Sequence, residues 1–334
     1  MTIRTLEPRM RLLLLLVGVT LVTGCATPVF DLQGHRGARG LAPENTLPAF
    51  AKALSIGVVT LELDTGITRD GIVVVSHDPF LNPNITRGPD GAFLAAKGPP
   101  IHDLTYPELQ RYDVGRINPA SPYFKTQPAQ QPIDGTRMPR LDEVFGLTRQ
   151  ARNPVVRFNI ETKISPLAPN ETLPPDEFVD RLLAVIHENG MARQVTIQSF
   201  DWRTLQRVQR ISRIPTVYLS AQQKFFDNIG IGKPEGSPWV AGFQARDHGD
   251  SVPRMIKAAG GRIWSPYFGD VDQVKIDEAR ALGLRVVVWT VNQPEDIEKM
   301  LELKVDGIIS DRPDLVREAM AKREMPLPRP TPVG

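Results

Sequence analysis

Side chains capable of acid, base and cation chemistry follow several short apolar runs of this sequence. They are His35 and Arg36 after the run 30–33, Glu62 and Asp64 at the end of 59–63, His77 after 73–75, and Glu161 with Lys163 at the end of 155–160. Short apolar runs are typical of buried strands, and residues two apart on a strand point to the same side. The set combines the groups that metal binding and proton transfer require.

Three of these residues are carboxylates that neighbouring strands would bring together: Glu62, Asp64 and Glu161. Converging carboxylates raise one another's pKa unless a cation lies among them. Oxygen ligands of this kind suit Ca²⁺ or Mg²⁺, and the sequence has no Cys or multi-His cluster for a dedicated zinc site. We expect one divalent metal ion here. The alternative is that Glu62 and Asp64 form ion pairs with Arg36 and Lys163.

The remaining polar residues suit phosphoryl chemistry. Beside a metal, Arg36 and Lys163 have the geometry to hold phosphate oxygens. Two histidines can divide the proton work, one accepting a proton from the attacking hydroxyl and the other donating one to the leaving alkoxide. We assign these roles to His35 and His77, because both fall at the predicted mouth, where the strands end. Three other histidines are expected to be surface or structural residues: His102, His187 and His248.

Strands and helices that alternate along the chain would position these residues. Eight strands are predicted, at 30–33, 59–63, 155–160, 195–198, 216–219, 262–264, 286–289 and 307–310. Six helices are predicted, at 47–55, 141–149, 176–189, 202–211, 271–282 and 294–303. Most of the strands are separated by helices, which predicts an α/β protein with a (β/α)8 TIM barrel, whose strands end at one shared mouth.

Two stretches depart from this alternation. Residues 79–139 are rich in Pro, Gly, Asn and Gln, and only 104–112 looks helical. A run this long predicts a functional insertion after the second strand, forming a cap or lip. The Pro-rich tail, 325–334, is expected to be disordered or extended. The whole of 25–334 is otherwise predicted to be one barrel domain.

The first 24 residues predict export. Three arginines precede the apolar run 12–22, which is short for a permanent membrane helix and has the form of a signal peptide. The run ends in Val-Thr-Gly-Cys, which resembles the lipobox of bacterial lipoproteins. We therefore predict a lipoprotein signal peptide at 1–24 and a membrane anchor of lipid chains on Cys25. An ordinary signal peptide with an incidental Cys is the alternative.

Charge and composition limit the possible partners and locations. The formal charge of +2 becomes zero by count without residues 1–24, since 37 basic and 37 acidic residues remain. The body has no basic run, so nucleic-acid binding has no support.

Ala26 follows Cys25 where inner-membrane lipoproteins often have Asp. We expect an exported protein anchored on the periplasmic side, at the outer membrane if the cell is Gram-negative. The oligomeric state is left open.

Six segments resemble, in order and spacing, the motifs of the glycerophosphodiester phosphodiesterase family. They are HRGARGLAPENTLPAF, LELDTGITRDGIVVVSHDP, FNIETK, TIQSFD, VVVWTVN and DGIISDRPD, and the resemblance extends from about Gln33 to Asp314. It implies a (β/α)8 barrel with an insertion after the second strand. It also implies a divalent metal that is often Ca²⁺ and sometimes Mg²⁺, so we expect Ca²⁺ ahead of Mg²⁺.

The resemblance also implies roles for individual residues. The metal carboxylates are Glu62, Asp64 and Glu161, the catalytic histidines His35 and His77, and the phosphate-holding residues Arg36 and Lys163. Glu44 and Asn45 are expected to support the first loop and the metal ligands without binding the metal directly. Trp289 is expected to form a wall of the substrate pocket, and Phe200, Tyr267 and Phe268 are weaker candidates for the same wall.

The reaction implied is hydrolysis of a small glycerophosphodiester to glycerol 3-phosphate and an alcohol. Direct attack by water and a cyclic phosphate route are both open. One alternative is a lysophospholipase D or sphingomyelinase D-like enzyme acting on lipids, which an exposed apolar groove on the insertion would favour. Another is a non-catalytic lipoprotein that binds phosphorylated ligands, which loss of a motif residue would favour.

Overall fold

The computed structural model describes residue 2 and residues 29–333 of the chain. The predicted signal peptide and Cys25 therefore lie outside the described residues. Eight parallel strands form a closed barrel, in which β1 (Asp31–Gly34) pairs with both β2 (Thr60–Ile67) and β9 (Gly307–Ser310). The predicted (β/α)8 barrel is confirmed.

The other elements complete the barrel and surround it. The remaining barrel strands are β4 (Arg157–Thr162), β5 (Val195–Ser199), β6 (Thr216–Ser220), β7 (Ile263–Pro266) and β8 (Arg285–Val288). The helices are α1 (Leu47–Ile56), α2 (Tyr106–Leu109), α3 (Leu141–Gln150), α4 (Pro175–Glu188), α5 (Trp202–Ile211), α6 (Val252–Ala258), α7 (Gln273–Ala281), α8 (Pro294–Glu302) and α9 (Pro313–Lys322). All eight predicted strands and six predicted helices are present. Sequence reasoning missed α6 and α9, and it missed β3 (Val73–Val75), which pairs antiparallel with β2.

The first helix shows how the sequence fixes the loop between β1 and α1. Thr46 accepts a hydrogen bond from the backbone N–H of Ala49, which is typical of a helix N-cap. Gly57 ends the helix with φ of 88°, a left-handed conformation that glycine adopts without steric cost. Gly37 has φ of 85°, and a Cβ there would lie 2.6 Å from the backbone of Ala49. Glycine therefore lets the loop at 35–46 pack directly on α1.

Alternation along β4 separates an apolar layer from a polar interior. Phe158 is fully buried and packs edge to face on Phe145 of α3, with ring centroids 4.9 Å apart. The next residue, Asn159, points into the barrel, where its side-chain amide donates to Gln33 and Gln198 at 3.1 and 2.8 Å. Since side chains alternate along a strand, Glu161 also points inward, at the end where the strands open.

Residues 79–139 lie between β3 and α3 and form a second apolar cluster together with Val74 of β3. That cluster consists of Val74, Leu81, Ile101, Leu109 and Met138. The stretch contains α2 and 3-10 turns at Ile101–Asp103 and Pro122–Thr126. Because these residues pack beside the C-terminal ends of the strands, the predicted insertion lies against the barrel mouth.

The tail beyond α9 is extended and packs at the opposite end of the barrel. The backbone N–H of Thr331 donates to the carbonyl oxygen of Leu54 at 2.9 Å, and Arg317 donates to the carbonyl oxygen of Pro328 at 2.6 Å. Of the two states expected for this tail, the structure has the extended one. Among the described residues, no helix has the length and apolar character needed to cross a membrane.

We expect Phe158→Ala to lower the free energy of unfolding by about 3–5 kcal/mol, because it opens a cavity between β4 and α3. The measurement is a urea titration followed by circular dichroism. Val274→Ala is the control, since this side chain is 78% exposed. Equal stability of the two variants would contradict the packing described here.

Candidate active site

Strand register brings the three predicted carboxylates together. In the parallel pairing of β2 and β4, Asp64 lies opposite Glu161, and Glu62 lies two residues before Asp64 on the same side. One carboxylate oxygen from each residue falls within 4.8 Å of the others, and all three side chains are buried. The sequence therefore predicted this cluster correctly.

Hydrogen bonds and two cations hold the carboxylates in place. Glu62 accepts from the backbone N–H of Arg36 at 2.8 Å and from the amide of Gln198 at 2.6 Å. Lys163 donates to Glu161 at 2.9 Å and lies 3.8 Å from Asp64. The Nε of Arg36 lies 3.4 Å from Asp64. The ion pairs considered as an alternative to a metal are thus present for Asp64, but neither cation pairs with the Glu62 side chain.

These cations leave the cluster short of positive charge. Arg36 also pairs with Glu44 at 2.6 Å, so Arg36 and Lys163 pair with three carboxylates between them, and Glu62 adds a fourth without a cation of its own. Burial and the neighbouring Asp64 raise the pKa of Glu62 well above its ordinary value. Burial also raises the pKa of Glu161, to about 7, although Lys163 opposes the shift.

The donor set fits a divalent cation. The Oδ1 atom of Asp64 is buried and has no hydrogen-bond partner, although burial of an unpaired polar atom is costly. Burial alone would raise the pKa of Asp64, but the neighbouring His77, Lys163 and Arg36 hold it below its ordinary value, so this carboxylate is ionised. The cluster thus offers three buried carboxylates, one of which has an oxygen without a partner. Carboxylate oxygens are the ligands that Ca²⁺ and Mg²⁺ prefer.

Asn45 and Glu44 support the first loop, as predicted from the Pro-Glu-Asn-Thr segment. Asn45 donates through its side-chain amide to Asp64 at 2.8 Å, and its backbone N–H donates to the carbonyl oxygen of Arg36 at 3.0 Å. Both Arg36 and Asn45 have left-handed backbone conformations, with φ of 48° and 55°. This uncommon backbone is stabilised because the loop bonds to Asp64, Glu62 and Glu44 at once.

His35 is oriented by a carboxylate that sequence reasoning missed. Its Nδ1 lies 2.6 Å from Asp311, and its Nε2 lies 3.9 Å from Glu62. An N–H at Nδ1 donated to Asp311 leaves the lone pair of Nε2 facing the cavity. Burial and the nearby Arg39 lower the pKa of His35 to about 4, so the imidazole is neutral near pH 7.

Asp311 is held in turn by residues from three parts of the chain. Arg39 binds it with two hydrogen bonds of 2.7 and 2.8 Å, and Asn292 donates to it at 2.8 Å. Gln127, from the insertion, donates to it at 3.3 Å. The DGIISDRPD segment signalled Asp311 in the sequence, but nothing local to Gln127 did.

The insertion also contributes Tyr123. The hydroxyl of Tyr123 donates to Glu44 and accepts from Arg39 at 3.2 Å. A single phenol from the insertion thus joins the loop that holds Arg36 to the network that holds His35. We predicted that the insertion forms a cap or lip, and the structure gives it this further contact with the site.

His77 faces His35 across the cavity. Its Nε2 accepts from the ammonium group of Lys163 at 3.0 Å, and its Nδ1 lies 3.3 Å from Asp78. Burial, together with the positive charge of Arg36 and Lys163, lowers the pKa of His77 well below its ordinary value. The free protein therefore has two neutral imidazoles in this cavity.

The two histidines and the two cations line one small cavity. Its volume is about 220 Å³. Its walls include both histidines, Arg36, Lys163, Glu62, Glu161, Phe200 and Trp289. The indole N–H of Trp289 donates to the carbonyl oxygen of Ser265 at 2.9 Å, which fixes the ring as a wall. Tyr267 packs on Trp289 and Phe268 packs on Tyr267, so these two aromatics lie behind the wall.

A second, more apolar pocket of about 420 Å³ opens beside the first. It shares His77, Glu161, Lys163, Phe200 and Trp289 with the small cavity and adds Phe225, Phe226, Trp239 and Ile164. Phe225 is 66% exposed at its rim. Phe225, Phe226 and Trp239 come from the β6–β7 connection, whereas the insertion contributes only Pro79.

A family model for the glycerophosphoryl diester phosphodiesterase family matches residues 35–315. A glycerophosphodiester phosphodiesterase from Caldanaerobacter subterraneus subsp. tengcongensis is 26% identical over 288 residues, covering 86% of this chain and 96% of the relative. A crystal structure from Silicibacter pomeroyi DSS-3, assigned as a glycerophosphoryl diester phosphodiesterase, is 33% identical with a TM-score of 0.78, covering 90% of this chain and 96% of that one.

An Oleispira antarctica phosphodiesterase, solved in complex with its product sn-glycerol-3-phosphate, has a TM-score of 0.61 at 20% identity. The match covers 86% of this chain and 96% of that one. At this level of identity the likeness shows a common fold.

We expect Glu62→Gln to weaken Ca²⁺ binding by at least about tenfold, because it removes one charged oxygen ligand. Isothermal titration with Ca²⁺ and Mg²⁺ measures the affinity of each variant. Glu177→Gln is the control, since Glu177 is an exposed residue of α4 paired with Arg181. An unchanged affinity in Glu62→Gln would show that the cluster does not bind the metal.

Proposed function

The chain belongs to the glycerophosphoryl diester phosphodiesterase family and shares its phosphodiesterase activity, and on that premise we propose a metal-dependent mechanism with paired histidines. The substrate is a water-soluble glycerophosphodiester, and the products are glycerol 3-phosphate and an alcohol. One observation carries this proposal: two imidazoles, two cations and two carboxylates line a single cavity, and those two carboxylates cluster with the buried Asp64.

Glu62, Asp64 and Glu161 would hold one divalent cation, with Ca²⁺ favoured over Mg²⁺. When bound, the ion supplies positive charge to a phosphoryl oxygen and a glycerol hydroxyl as the phosphorus becomes five-coordinate. The unpartnered oxygen of Asp64 and the raised pKa values of Glu62 and Glu161 support this site. Asn45 and Gln198 keep the ligands oriented through their amide hydrogen bonds.

His35 acts as the general base. Asp311 accepts the Nδ1 proton and so fixes the tautomer, which leaves Nε2 free to take a proton from the attacking hydroxyl. The imidazolium that forms is stabilised by Asp311. The attacking hydroxyl belongs either to water or to the glycerol moiety, and both routes use the same Nε2 atom.

His77 acts as the general acid. Lys163 and Arg36 hold it neutral in the free protein. A bound phosphate brings negative charge that offsets these cations, and it competes for the Lys163 ammonium group now donated to Nε2. Binding therefore raises the pKa of His77, which can then donate a proton from Nε2 to the leaving alkoxide.

Arg36 and Lys163 bind the phosphate oxygens, and Trp289 forms the wall beside them. The Oleispira antarctica structure holds sn-glycerol-3-phosphate, which supports a glycerol 3-phosphate product for this chain.

We also propose that the mature protein is an exported lipoprotein, anchored through lipid chains on Cys25 and facing the periplasm. The lipobox-like Val-Thr-Gly-Cys supports that location.

A second candidate function is cleavage of lysophospholipids in the manner of a lysophospholipase D. The apolar pocket with Phe225, Phe226 and Trp239 favours it, since an acyl chain needs such a surface beside the phosphate. A groove on the insertion would favour this function, whereas this pocket takes three aromatic residues from the β6–β7 connection and only Pro79 from the insertion. A non-catalytic ligand-binding role has no support, because every motif residue is present.

We expect His35→Ala and His77→Ala each to lower kcat by about 10²–10⁴-fold, because each removes a proton-transfer group. The assay measures glycerol 3-phosphate released from glycerophosphocholine and glycerophosphoethanolamine with Ca²⁺, Mg²⁺ or EDTA. His187→Ala, on the exposed face of α4, is the control. A normal rate in either variant would show that the reaction does not need that histidine. Activity in EDTA would show that the reaction does not need the metal.

The two candidate substrates are separated by Phe225→Ser. If lysophosphatidylcholine is a substrate, this variant raises its KM by about tenfold or more, because the acyl chain loses an aromatic contact at the rim of the pocket. Glycerophosphocholine hydrolysis should be unchanged. Leu167→Ser is the matched control, since Leu167 is 71% exposed and does not line the pocket. No release from lysophosphatidylcholine by the wild type would exclude the second candidate.

A further inference from the structure

The end of the barrel opposite the mouth has a cavity of its own. Its volume is about 640 Å³. The lining includes Val29, Val58, Val155 and four arginines, Arg152, Arg157, Arg285 and Arg329. We call these residues the basal face. They lie at the starts of the strands, whereas His35 and the carboxylates lie at their ends.

The basal face carries unbalanced positive charge. Arg157 and Arg285 pair with the buried Asp31 at 3.1 and 3.9 Å. Arg152 and Arg329 are exposed and form no ion pair within residues 29–333. Three more exposed arginines directly precede neighbouring strands: Arg193, Arg213 and Arg262. A surface of this charge attracts anions.

The tail holds part of this charge in place. Arg317 donates to the carbonyl oxygen of Pro328, and Asn153 donates to the hydroxyl of Thr331 at 3.0 Å. Arg329 lies between these two anchored residues. The tail thus adds an arginine to the basal face at a defined position.

Exposed apolar side chains stand among the arginines. Val155 is 79% exposed and Val29 is 59% exposed, and both line the basal cavity. Arginines beside exposed apolar groups suit the boundary of an anionic bilayer, where phosphates meet the arginines and acyl chains meet the apolar groups.

The chain also reaches Cys25 from this face. Cys25 lies four positions before Val29 in the sequence, and four extended residues reach at most roughly 15 Å. A lipid anchor on Cys25 would therefore hold the basal face against the bilayer, because Val29 precedes β1 and His35 follows it.

We propose that the basal face docks on the anionic surface of a phospholipid bilayer. The mouth then points away from the membrane, toward water-soluble diesters. This docking does not depend on the reaction at the mouth, and hydrolysis of glycerophosphocholine measures that reaction separately in every variant below.

The first experiment measures vesicle binding by residues 25–334 with Cys25→Ser, a form without lipid chains that contains every described strand and helix of the barrel. We expect co-sedimentation with vesicles of phosphatidylcholine and phosphatidylglycerol, and not with phosphatidylcholine alone. Arg152→Gln combined with Arg329→Gln should weaken binding by about tenfold or more, since each arginine near the surface contributes to the attraction.

The matched control combines Lys52→Gln and Lys125→Gln, which remove the same charge from exposed sites on α1 and the insertion. The control should bind vesicles like the parent, and both double variants should hydrolyse glycerophosphocholine normally. Equal loss of binding in the two double variants, or no binding of the parent to anionic vesicles, would overturn the proposal.

The second experiment identifies the face that meets the bilayer. Cys25 is the only cysteine, so the Cys25→Ser chain accepts one environment-sensitive fluorophore at Val155→Cys or at Val274→Cys. These side chains are 79% and 78% exposed, and Val274 begins α7 on the mouth side. We expect anionic vesicles to raise the fluorescence at position 155 and not at 274.

A response at 274 alone would place the mouth on the membrane and overturn the proposal. Fluorescence at position 155 could instead rise with protein concentration in the absence of vesicles. That result would show that the basal face binds a second copy of the protein, and it would also overturn the proposal.

Discussion

Negative charge buried at the mouth is the constraint on which the rest of the site depends. Two unit charges about 4 Å apart repel by roughly 4 kcal/mol at an effective protein dielectric constant, and Glu62, Asp64 and Glu161 place their oxygens within 4.8 Å of one another. Arg36 and Lys163 offset part of that repulsion, and the hydrogen bonds from Asn45 and Gln198 offset more. The left-handed backbone of the first loop places Asn45 and the backbone N–H of Arg36 against the carboxylates, so the loop and the cluster stabilise each other.

Neighbouring charged groups also link the two histidines to the rest of the molecule. Asp311 orients His35 and would be an isolated buried charge without Arg39. Arg39 in turn contacts Tyr123 from the insertion. The insertion is therefore part of the network that sets the geometry of His35, and it does more than cover the pocket. In the free protein the cations next to His77 keep it neutral, so the charge of the substrate itself decides when this histidine carries a proton.

The two ends of the barrel have opposite electrostatic character. Carboxylates outnumber cations at the mouth, which suits a metal ion, whereas unpaired arginines dominate the basal face, which suits a surface of lipid phosphates. Parallel strands produce this separation, because every strand starts at one end and finishes at the other. An anchor attached before β1 and an active site built after it then fall on opposite sides of the protein.

The sequence by itself determined the order of the elements, the barrel and the set of carboxylates, histidines and cations at the mouth. Those inferences need only local information: apolar runs mark the strands, a spacing of two marks a shared side, and strand ends mark the mouth. The tertiary structure alone decided how that set is held. Asp311 reaches His35 across 276 positions because barrel closure pairs β9 with β1, and Tyr123 reaches Glu44 across 79 positions from an irregular segment. Neither contact follows from a local pattern, since loop paths and barrel closure depend on the packing of the whole chain.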